Sequence, residues 1–528
     1  MKTMKVMKSY ILMAAVALGA LAFSSCSKSD KPVVNKQVKL VAKLTPSNGI
    51  GTRTVMTDNG DGTISTAWEV NDKIWVKYFN TADAEVEAQA TVTAVDGSGN
   101  ATISVTLTDP KDASTITFGF PYTYWNEDID LKTNQTGTLN NIKNKYAASS
   151  GTGTLTVSGG DATLPLGVTM TPSVCIWKFS FKDGSTDITS AVTKVSVLLG
   201  TSTGSETYVI TPSSQSNIYV ALSGSATPKY ISVIATTASA TYMKEKSGIA
   251  LVAGKMYTSA ALEMEKVNAF SVSASKKVIF APGNLQATTT DLGANWTWNF
   301  AAHQYDYIGT TGSNAKINGK GTVSANGTVD LFYRSLVGDG SGNGYGIINT
   351  EEISSPYYGS AFLDWTSLPI GTYPAGYWRT LTESEWKYVL GEDYPIRKPS
   401  ATVNGVANAR VTKAVVNSVK GFIVFPDNYE GPTGDVGTDI VWGAGINSSG
   451  TSGWNTTCTL AGWTTLENAG CIFLPAAGRR TGTTLYEVGS GGFYKHATYW
   501  ILLRFDNSGF DTNQSSGYAG SVRLVHEL

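Results

Sequence analysis

The chain has 528 residues, which at ~150 residues per domain predicts roughly three domains. Its formal net charge of −1 lacks the concentrated positive field that nucleic-acid binders need, so we expect no nucleic-acid partner. With 55 glycines and many short β-branched runs, the composition predicts a mainly β protein and argues against a cytosolic α/β enzyme.

The first residues have the pattern of an export signal. Lys2, Lys5 and Lys8 form a positive segment, and residues 11–22 form an apolar stretch that is too short to span a bilayer. The stretch ends in LAFSSC, which resembles a bacterial lipobox with Cys26 as the lipid-modified residue. We therefore expect a lipoprotein signal peptide at residues 1–26, a tether at residues 27–36 and a lipid anchor on Cys26. The alternative is ordinary cleavage and release.

Residues 37–265 alternate between apolar and polar positions, as half-buried strands do. Val38, Leu40, Ala42 and Leu44 predict one such strand. The sequence DNGDG at residues 58–62 predicts a turn and not a calcium loop, because the distal glutamate of an EF-hand is missing. Further strands are predicted at residues 73–79, 101–107, 115–120, 173–181, 192–199, 207–211, 230–236 and 256–262. We expect two tandem β-sandwiches, at residues 37–160 and 161–265.

Four short motifs in this region carry a family resemblance. They are GTRT at residues 51–54, AWEVNDKI at 67–74, QTGTLNNI at 135–142 and LVAGKMY at 251–257. In their order and spacing they resemble the fimbrillin family, the pilins of Bacteroidetes-type bacteria, over residues 37–265. The resemblance implies two fimbrillin-like sandwiches and other pilin subunits as partners.

The resemblance also implies a mechanism of assembly. In that family an outer-membrane protease cuts after an arginine near the start of the first sandwich, and a strand of another subunit fills the vacated groove. Here Arg53 is the implied processing site, and residues 38–44 are the strand that cleavage would release. The alternative is that Arg53 is a solvated loop residue and the strand stays in place.

Residues 266–528 hold 9 of the 13 tryptophans and 15 of the 25 tyrosines, in long Gly- and Asn-rich stretches. One helix is predicted, with Thr382 as its N-cap, Glu385 completing a capping box, and Trp386, Val389 and Leu390 on one face. We therefore expect an α+β domain in this half of the chain.

A second resemblance covers nearly all of this half. YWRTLTESEW at residues 377–386 and GSVRLV at 520–525 resemble segments of the formylglycine-generating-enzyme fold. Residues 280–286, 304–306, 424–428 and 473–478 resemble the related FISUMP-type, C-type-lectin-like domains of bacterial surface proteins. The enzymes of this fold need two closely spaced copper-binding cysteines. Cys458 and Cys471 lie outside any matching motif, so we expect no enzyme and no cofactor. His303, His496 and His526 are scattered along the sequence without a cluster of other ligands, so we expect no metal.

Binding is the expected activity of the second half. Exposed aromatic and arginine side chains dominate interface energetics. The candidate ligand contacts on loop-like sequence are Trp442, Trp454, Trp463, Tyr429, Tyr486 and Arg479. Arg479 and Arg480 together could clamp a carboxylate. Whether Cys458 and Cys471 form a disulfide stays open at this point.

Together these features predict a surface-exposed lipoprotein of the outer membrane and its fimbriae. We expect a minor pilus subunit at the tip, since a globular domain follows the last sandwich strand and blocks the usual donor tail. It would accept a donor strand and present a lectin-like adhesive domain to a host or bacterial surface glycan or protein. The alternative is a cell-surface glycan-binding lipoprotein that never polymerises.

Overall fold

The computed structural model describes residues 36–46, 55–61, 64–310, 312–333, 345–349, 364–391, 396–448, 450–497, 501–515 and 517–528. Cys26, the tether up to residue 35, and Arg53 lie outside the described residues. Within the described part, no helix has the length and apolar character needed to cross a membrane. The molecule is mainly β, as the composition predicts.

The first module is a single sheet that closes into a barrel-like structure. Its strands and the hairpin inserted among them are β1 (Gln37–Pro46), β2 (Val55–Asp58), β3 (Ile64–Ala67), β4 (Lys73–Phe79), β5 (Glu85–Val95), β6 (Ala101–Thr108), β7 (Thr115–Phe120), β8 (Ser149–Thr154), β9 (Thr156–Ser158), β10 (Asp161–Thr163) and β11 (Val168–Pro172). The order β11-β8-β7-β4-β5-β6-β1-β10-β9 is closed by an additional β1–β11 pairing. The sheet encloses a core of aliphatic and aromatic side chains.

The second module is a sandwich of a five-stranded sheet and two smaller sheets. Its strands are β12 (Val174–Phe179), β13 (Phe181–Asp183), β14 (Thr186–Asp187), β15 (Val192–Thr201), β16 (Gly204–Ile210), β17 (Ile218–Ser223), β18 (Ser225–Thr237), β19 (Thr241–Leu251), β20 (Met256–Thr258), β21 (Leu262–Glu263) and β22 (Glu265–Lys266). The orders are β16-β15-β18-β19-β22, β17-β12-β20 and β14-β13-β21.

The border between these modules differs from the expected one at residue 160. Strands β10 and β11 lie beyond it, yet both pair with β1 of the first sheet. Conversely, Met56 of the β2–β3 hairpin and Leu131, Ile142 and Tyr146 of the β7–β8 connection belong to the core of the second sandwich. That connection contains helix α1 (Tyr122–Asn126) and helix α2 (Leu139–Asn141), which continues as a π-helical turn (Ile142–Tyr146). Each module therefore contains side chains from both predicted domains.

The third module, which we call the rear module, is an α+β domain of several small sheets. Its strands are β23 (Phe270–Ser271), β24 (Lys277–Phe280), β25 (Leu285–Thr289), β26 (Thr297–Phe300), β27 (Gly327–Val329), β28 (Arg379–Thr380), β29 (Thr402–Val403), β30 (Val406–Ala407), β31 (Val411–Val416), β32 (Val419–Val424), β33 (Ile440–Val441), β34 (Thr456–Cys458), β35 (Ile472–Pro475), β36 (Arg479–Thr481), β37 (Thr484–Tyr486), β38 (Gly492–Lys495), β39 (Ile501–Phe505), β40 (Phe510–Ser515) and β41 (Leu524–Glu527). The larger sheets are β33-β34-β31-β32-β35 and β23-β24-β41-β28.

Two helices pack on these sheets. Helix α3 (Glu383–Leu390) has the predicted capping box between Thr382 and Glu385, and the predicted apolar face is buried. Helix α4 (Leu460–Asn468), capped by Thr459, was not predicted. Its Gly462 lets the helix pack closely against the main chain of Asp439, because a Cβ at residue 462 would lie 2.0 Å from the Asp439 carbonyl oxygen.

The second sandwich and the rear module share an apolar and polar contact surface. Leu198 and Tyr230 of the sandwich belong to the core of the rear module. The Tyr377 hydroxyl donates a hydrogen bond to the Glu245 carboxylate of the sandwich. Lys266 Nζ lies 2.8 Å from Glu430 Oε1. These contacts hold the two modules against each other.

Candidate functional site

Strand β1 closes the first sheet, and its sequence alternation matches its burial. Val38, Leu40 and Leu44 are fully buried and Ala42 nearly so, while Val41 on the outer face is 50% exposed. Burial of one such aliphatic side chain is worth ~1.5–3 kcal/mol relative to exposure. The strand predicted at residues 38–44 is therefore a core element of the first module.

The two edges of β1 are held unequally. Along β6 the pairing is antiparallel and continuous from Gln37 to Leu44. On the other edge the pairing is parallel: Lys39 and Leu40 meet β10, and the segment from Leu44 to Pro46 meets β11. Neither strand pairs with residues 41–43, within the described chain, so that edge is bound at its two ends only. Without β1, the sheet would be open between β6 and β11.

The hairpin that follows β1 in sequence is fixed to the second sandwich. The Asp58 carboxylate accepts hydrogen bonds from Lys178 Nζ and from the Tyr219 hydroxyl, each at 2.6 Å. These hydrogen bonds lower the pKa of Asp58 to about 2. The residues of DNGDG that the structure describes form the predicted turn, with the Asp58 carboxylate also accepting from the Gly60 N–H.

Three of the predicted ligand contacts are core residues, which corrects the prediction for them. Trp442 is 5% exposed, Trp463 1% and Tyr429 6%. Trp442 and Tyr429 pack against Phe425, and Trp463 lies on α4 against Phe473. Their side chains fill the interior of the rear module and are not available to an external ligand.

Trp454 is half-buried and packs edge-on against Phe505, with 6.4 Å between the ring centroids.

Arg480 is buried, and its guanidinium donates to the carbonyl oxygens of Ile348, Gly482 and Leu331. A carboxylate clamp by Arg479 and Arg480 together is therefore wrong. The two arginines point to different environments because neighbouring residues of a strand face opposite sides.

Arg479 and Tyr486 lie side by side on the surface. They are a cross-strand pair of the β36–β37 hairpin, and Tyr486 is 45% exposed. The Arg479 guanidinium stacks on Tyr518 at 3.9 Å from the ring centroid and lies 2.8 Å from Glu487 Oε1. We call Arg479, Tyr486, Glu487 and Tyr518 the Arg479 patch. The sequence analysis named neither Glu487 nor Tyr518. Tyr518 is distant from Arg479 in the sequence and joins the patch only through the fold.

The three cysteines in the described chain are free and buried. Burial raises the pKa of Cys458 to about 12 and holds the pKa of Cys471 well above its ordinary value. Thiols of this kind are protonated at neutral pH and react poorly. Among the described residues, no group of three or more His, Cys, Asp or Glu side chains could hold a metal ion.

No protein-family model and no curated protein sequence matches the chain. Among solved structures, a proposed cell adhesion protein from Bacteroides uniformis is similar over 44% of this chain and 95% of its own, at 14% identity and a TM-score of 0.25. A fimbrial assembly protein from Parabacteroides distasonis is similar over 46% of this chain and 95% of its own, at 10% identity and a TM-score of 0.24. A fimbrial protein from Bacteroides ovatus is similar over 93% of this chain and 99% of its own, at 10% identity and a TM-score of 0.20. At these identities and TM-scores, the solved structures do not assign a function to this chain.

Proposed function

We propose that this protein is a surface lipoprotein that acts as a minor pilus subunit at the pilus tip. In this proposal Cys26 carries the lipid anchor in the outer membrane, and cleavage after Arg53 frees β1. A strand of another pilin subunit then takes the place of β1. The rear module, exposed at the cell surface or the fimbrial end, binds a glycan or protein ligand.

The position of β1 is the observation that carries the proposal. Removal of β1 would expose the apolar core that Val38, Leu40 and Leu44 now cover, together with the unpaired edge of β6. An incoming strand with the same alternation would restore both the main-chain hydrogen bonds and the core contacts. Because the second edge of β1 is paired at its ends only, fewer hydrogen bonds resist its departure there.

The pairing in the rear module supports the tip position. Strand β41 lies between β24 and β28, and every other described strand of the module also has a partner within it. The described part of the module thus contains no unpaired strand that could be donated to a further subunit. A subunit that accepts a strand without donating one fits the end of a polymer.

Cleavage tests the first half of the proposal. An arginine-specific protease should cut the purified full chain after Arg53, and the cut chain should join purified pilin subunits, whereas the Arg53→Gln chain should do neither. Immunogold labelling should then find the protein at pilus ends. Uncut protein in pili, or label spread evenly along the shafts, would contradict the proposal.

The Arg479 patch is the proposed ligand surface, because it combines an exposed tyrosine, a stacked arginine and a carboxylate. Aromatic faces pack against the C–H surfaces of sugars, and arginine and carboxylate groups hydrogen-bond their hydroxyls. On a glycan array, the native full chain should bind one or more glycans, and the Arg479→Ala and Tyr486→Ala chains should not. The Tyr305→Ala chain, with a tyrosine removed elsewhere on the rear module, should keep it. Equal binding by all three variants would reject the patch.

The same patch supports a second candidate function, a lipoprotein that captures glycans and never polymerises. This function needs the ligand surface but not the release of β1. Glycan binding by a chain that resists cleavage at Arg53 and ignores pilin subunits would favour it over the tip role.

We also propose that the rear module is not catalytic, since its thiols are buried and protonated. Copper titration followed by absorbance should give the same result for the native chain and for the Cys458→Ser/Cys471→Ser chain. Copper uptake that depends on either thiol would instead support the oxidase chemistry of the related enzymes.

A further inference from the structure

The connection between β7 and β8 leaves the first module and enters the second. Residues 132–137 of this connection, which we call the linking segment, run from an edge of the five-stranded sheet to an edge of the β17-β12-β20 sheet. The Lys132 and Gln135 carbonyls accept from Val209 N and Thr211 N, at 2.8 and 2.9 Å, beside edge strand β16. The Gly137 carbonyl accepts from Tyr219 N, at 2.8 Å, on edge strand β17. The segment therefore pairs with one edge of each sheet.

The side chain of Gln135 strengthens this bridge. It is completely buried, and its amide reproduces the pairing of a peptide group. Gln135 Oε1 accepts from Ala221 N, and Gln135 Nε2 donates to the Ala221 carbonyl, both at 2.8 Å. The same Nε2 donates to the carbonyl of Leu131 at 2.8 Å. If the side chain lost its amide, buried main-chain groups of Ala221 would lose their partners, which is costly in an apolar interior.

The chain turns sharply at the end of the segment. Gly137 has φ = 74°, and a Cβ at this position would lie 3.0 Å from Ile218 Cγ2. Thr138 then caps α2 by accepting from Asn141 N, and Asn141 Oδ1 accepts from Thr136 N. These contacts explain the QTGTLNNI sequence at residues 135–142 as a structural device, because the side chains of Gln135, Thr138 and Asn141 each bind a main-chain group.

We infer that the linking segment is a built-in bridge that joins β16 to β17, so the second sandwich depends for its fold on a segment inserted between two strands of the first module. Neither strand that flanks the segment pairs with β1, since β7 pairs with β4 and β8, and β8 with β7 and β11, so β11 separates the segment from β1. This second part rests on the proposed function. It states that departure of β1 leaves the second sandwich and the rear module attached to it unchanged.

Hydrogen–deuterium exchange of the uncut full chain tests the first part. Gln135→Met keeps the length of the side chain and removes its hydrogen bonds. We expect amide exchange in peptides covering β16 and β17 to speed up about tenfold or more, while peptides covering β1 and β6 keep their rates. Gln89→Met, on the exposed face of β5, is the matched control and should change neither region. Unchanged β16 and β17 peptides, or equal acceleration in all sheets, would overturn the inference.

A milder variant keeps the test decisive if Gln135→Met does not fold. Gln215 Nε2 donates to the Gly137 carbonyl from the half-exposed side of the segment, at 2.9 Å. Gln215→Ala should speed up exchange in the β17 peptide by a smaller factor and leave β1 and β6 unchanged. The same rate in β17 as in the native chain would count against the inference.

Protein cut after Arg53 tests the second part of the inference, that departure of β1 leaves the second sandwich unchanged. Peptides covering β6 and β11 should exchange faster once β1 is gone, and peptides covering β16 and β17 should not. Faster exchange in β16 and β17 would overturn this second part alone. If the cut chain retains β1 and native rates in β6, the proposed strand release fails, while the Gln135→Met result still decides the role of the linking segment.

Discussion

Asp58 shows how one side chain can join two modules. It is carried by the β2–β3 hairpin, which follows the strand that closes the first sheet, yet its partners Lys178 and Tyr219 belong to the second sandwich. Its carboxylate is only 13% exposed, so solvent screens the ion pair with Lys178 weakly. The network therefore favours the folded hairpin wherever Asp58 is ionised.

The stability contributed by Asp58 depends on pH in a defined direction. Its folded pKa of about 2 lies below the ordinary value near 3.8, so the contribution is complete above about pH 5 and is lost progressively as the pH falls through 3.8 and then through 2. Asp58→Asn should lower the free energy of unfolding by about 2 kcal/mol at pH 7. Denaturant titrations at pH 7 and pH 2.5 should show this difference shrinking at the lower pH.

The exposed ion pair of Asp83 with Lys111 provides the control for Asp58. The Asp83 side chain is 70% exposed, and surface pairs of this kind contribute ~0–1 kcal/mol. Asp83→Asn should therefore change the unfolding curve little at either pH. An Asp58→Asn effect no larger than that of Asp83→Asn would refute the role given to Asp58.

Individual aromatic residues were the hardest to assign from sequence. Trp442 lies in Gly-rich sequence that predicts a loop, but its side chain is buried and its indole N–H donates to the Gly434 carbonyl. Trp463 lies on α4, whose Gly462 and neighbouring threonines have low helix propensity. Burial at these positions is decided by contacts between distant segments, which no local pattern records.

At the scale of elements, β1 was predictable because its alternation is local. Leu40 is fully buried and its neighbour Val41 is half exposed. Leu40→Ala should therefore lower the free energy of unfolding by about 2–5 kcal/mol, and Val41→Ala by about 0.5 kcal/mol or less. Urea titrations of the two variants measure the difference, and similar losses would contradict the burial pattern.

Helix α3 was predictable for the same reason, since a capping box joins residues three apart. Thr382 Oγ1 accepts from Glu385 N, and the Glu385 carboxylate accepts from Thr382 N. Thr382→Ala should destabilise the rear module by about 1 kcal/mol, and Thr382→Ser should retain most of the stability. Thermal unfolding followed by circular dichroism compares them, and equal midpoints for the alanine and serine variants would exclude a capping role.

The order of the strands could not be predicted in the same way. The parallel pairing of β1 with β10 and β11 joins residues more than 100 positions apart. The hairpin and the linking segment likewise cross from the first module into the second. A linear division at residue 160 follows local pattern alone, whereas the modules are defined by these crossings.

At the scale of the whole molecule, the contact between the second sandwich and the rear module depends on a position without a side chain. A Cβ at Gly200 of β15 would lie 2.2 Å from Pro374 Cγ of the rear module. Gly200→Ala must therefore push the two modules apart or distort one of them, at a cost of about 1–3 kcal/mol.

Gly204 of the adjoining β16 is the matched control, because a Cβ there meets nothing within 4 Å. Calorimetry should show the transition of the Gly200→Ala chain several degrees lower or split in two, with the Gly204→Ala transition close to native. Identical transitions for both variants would mean that the stability of the two modules does not depend on this contact.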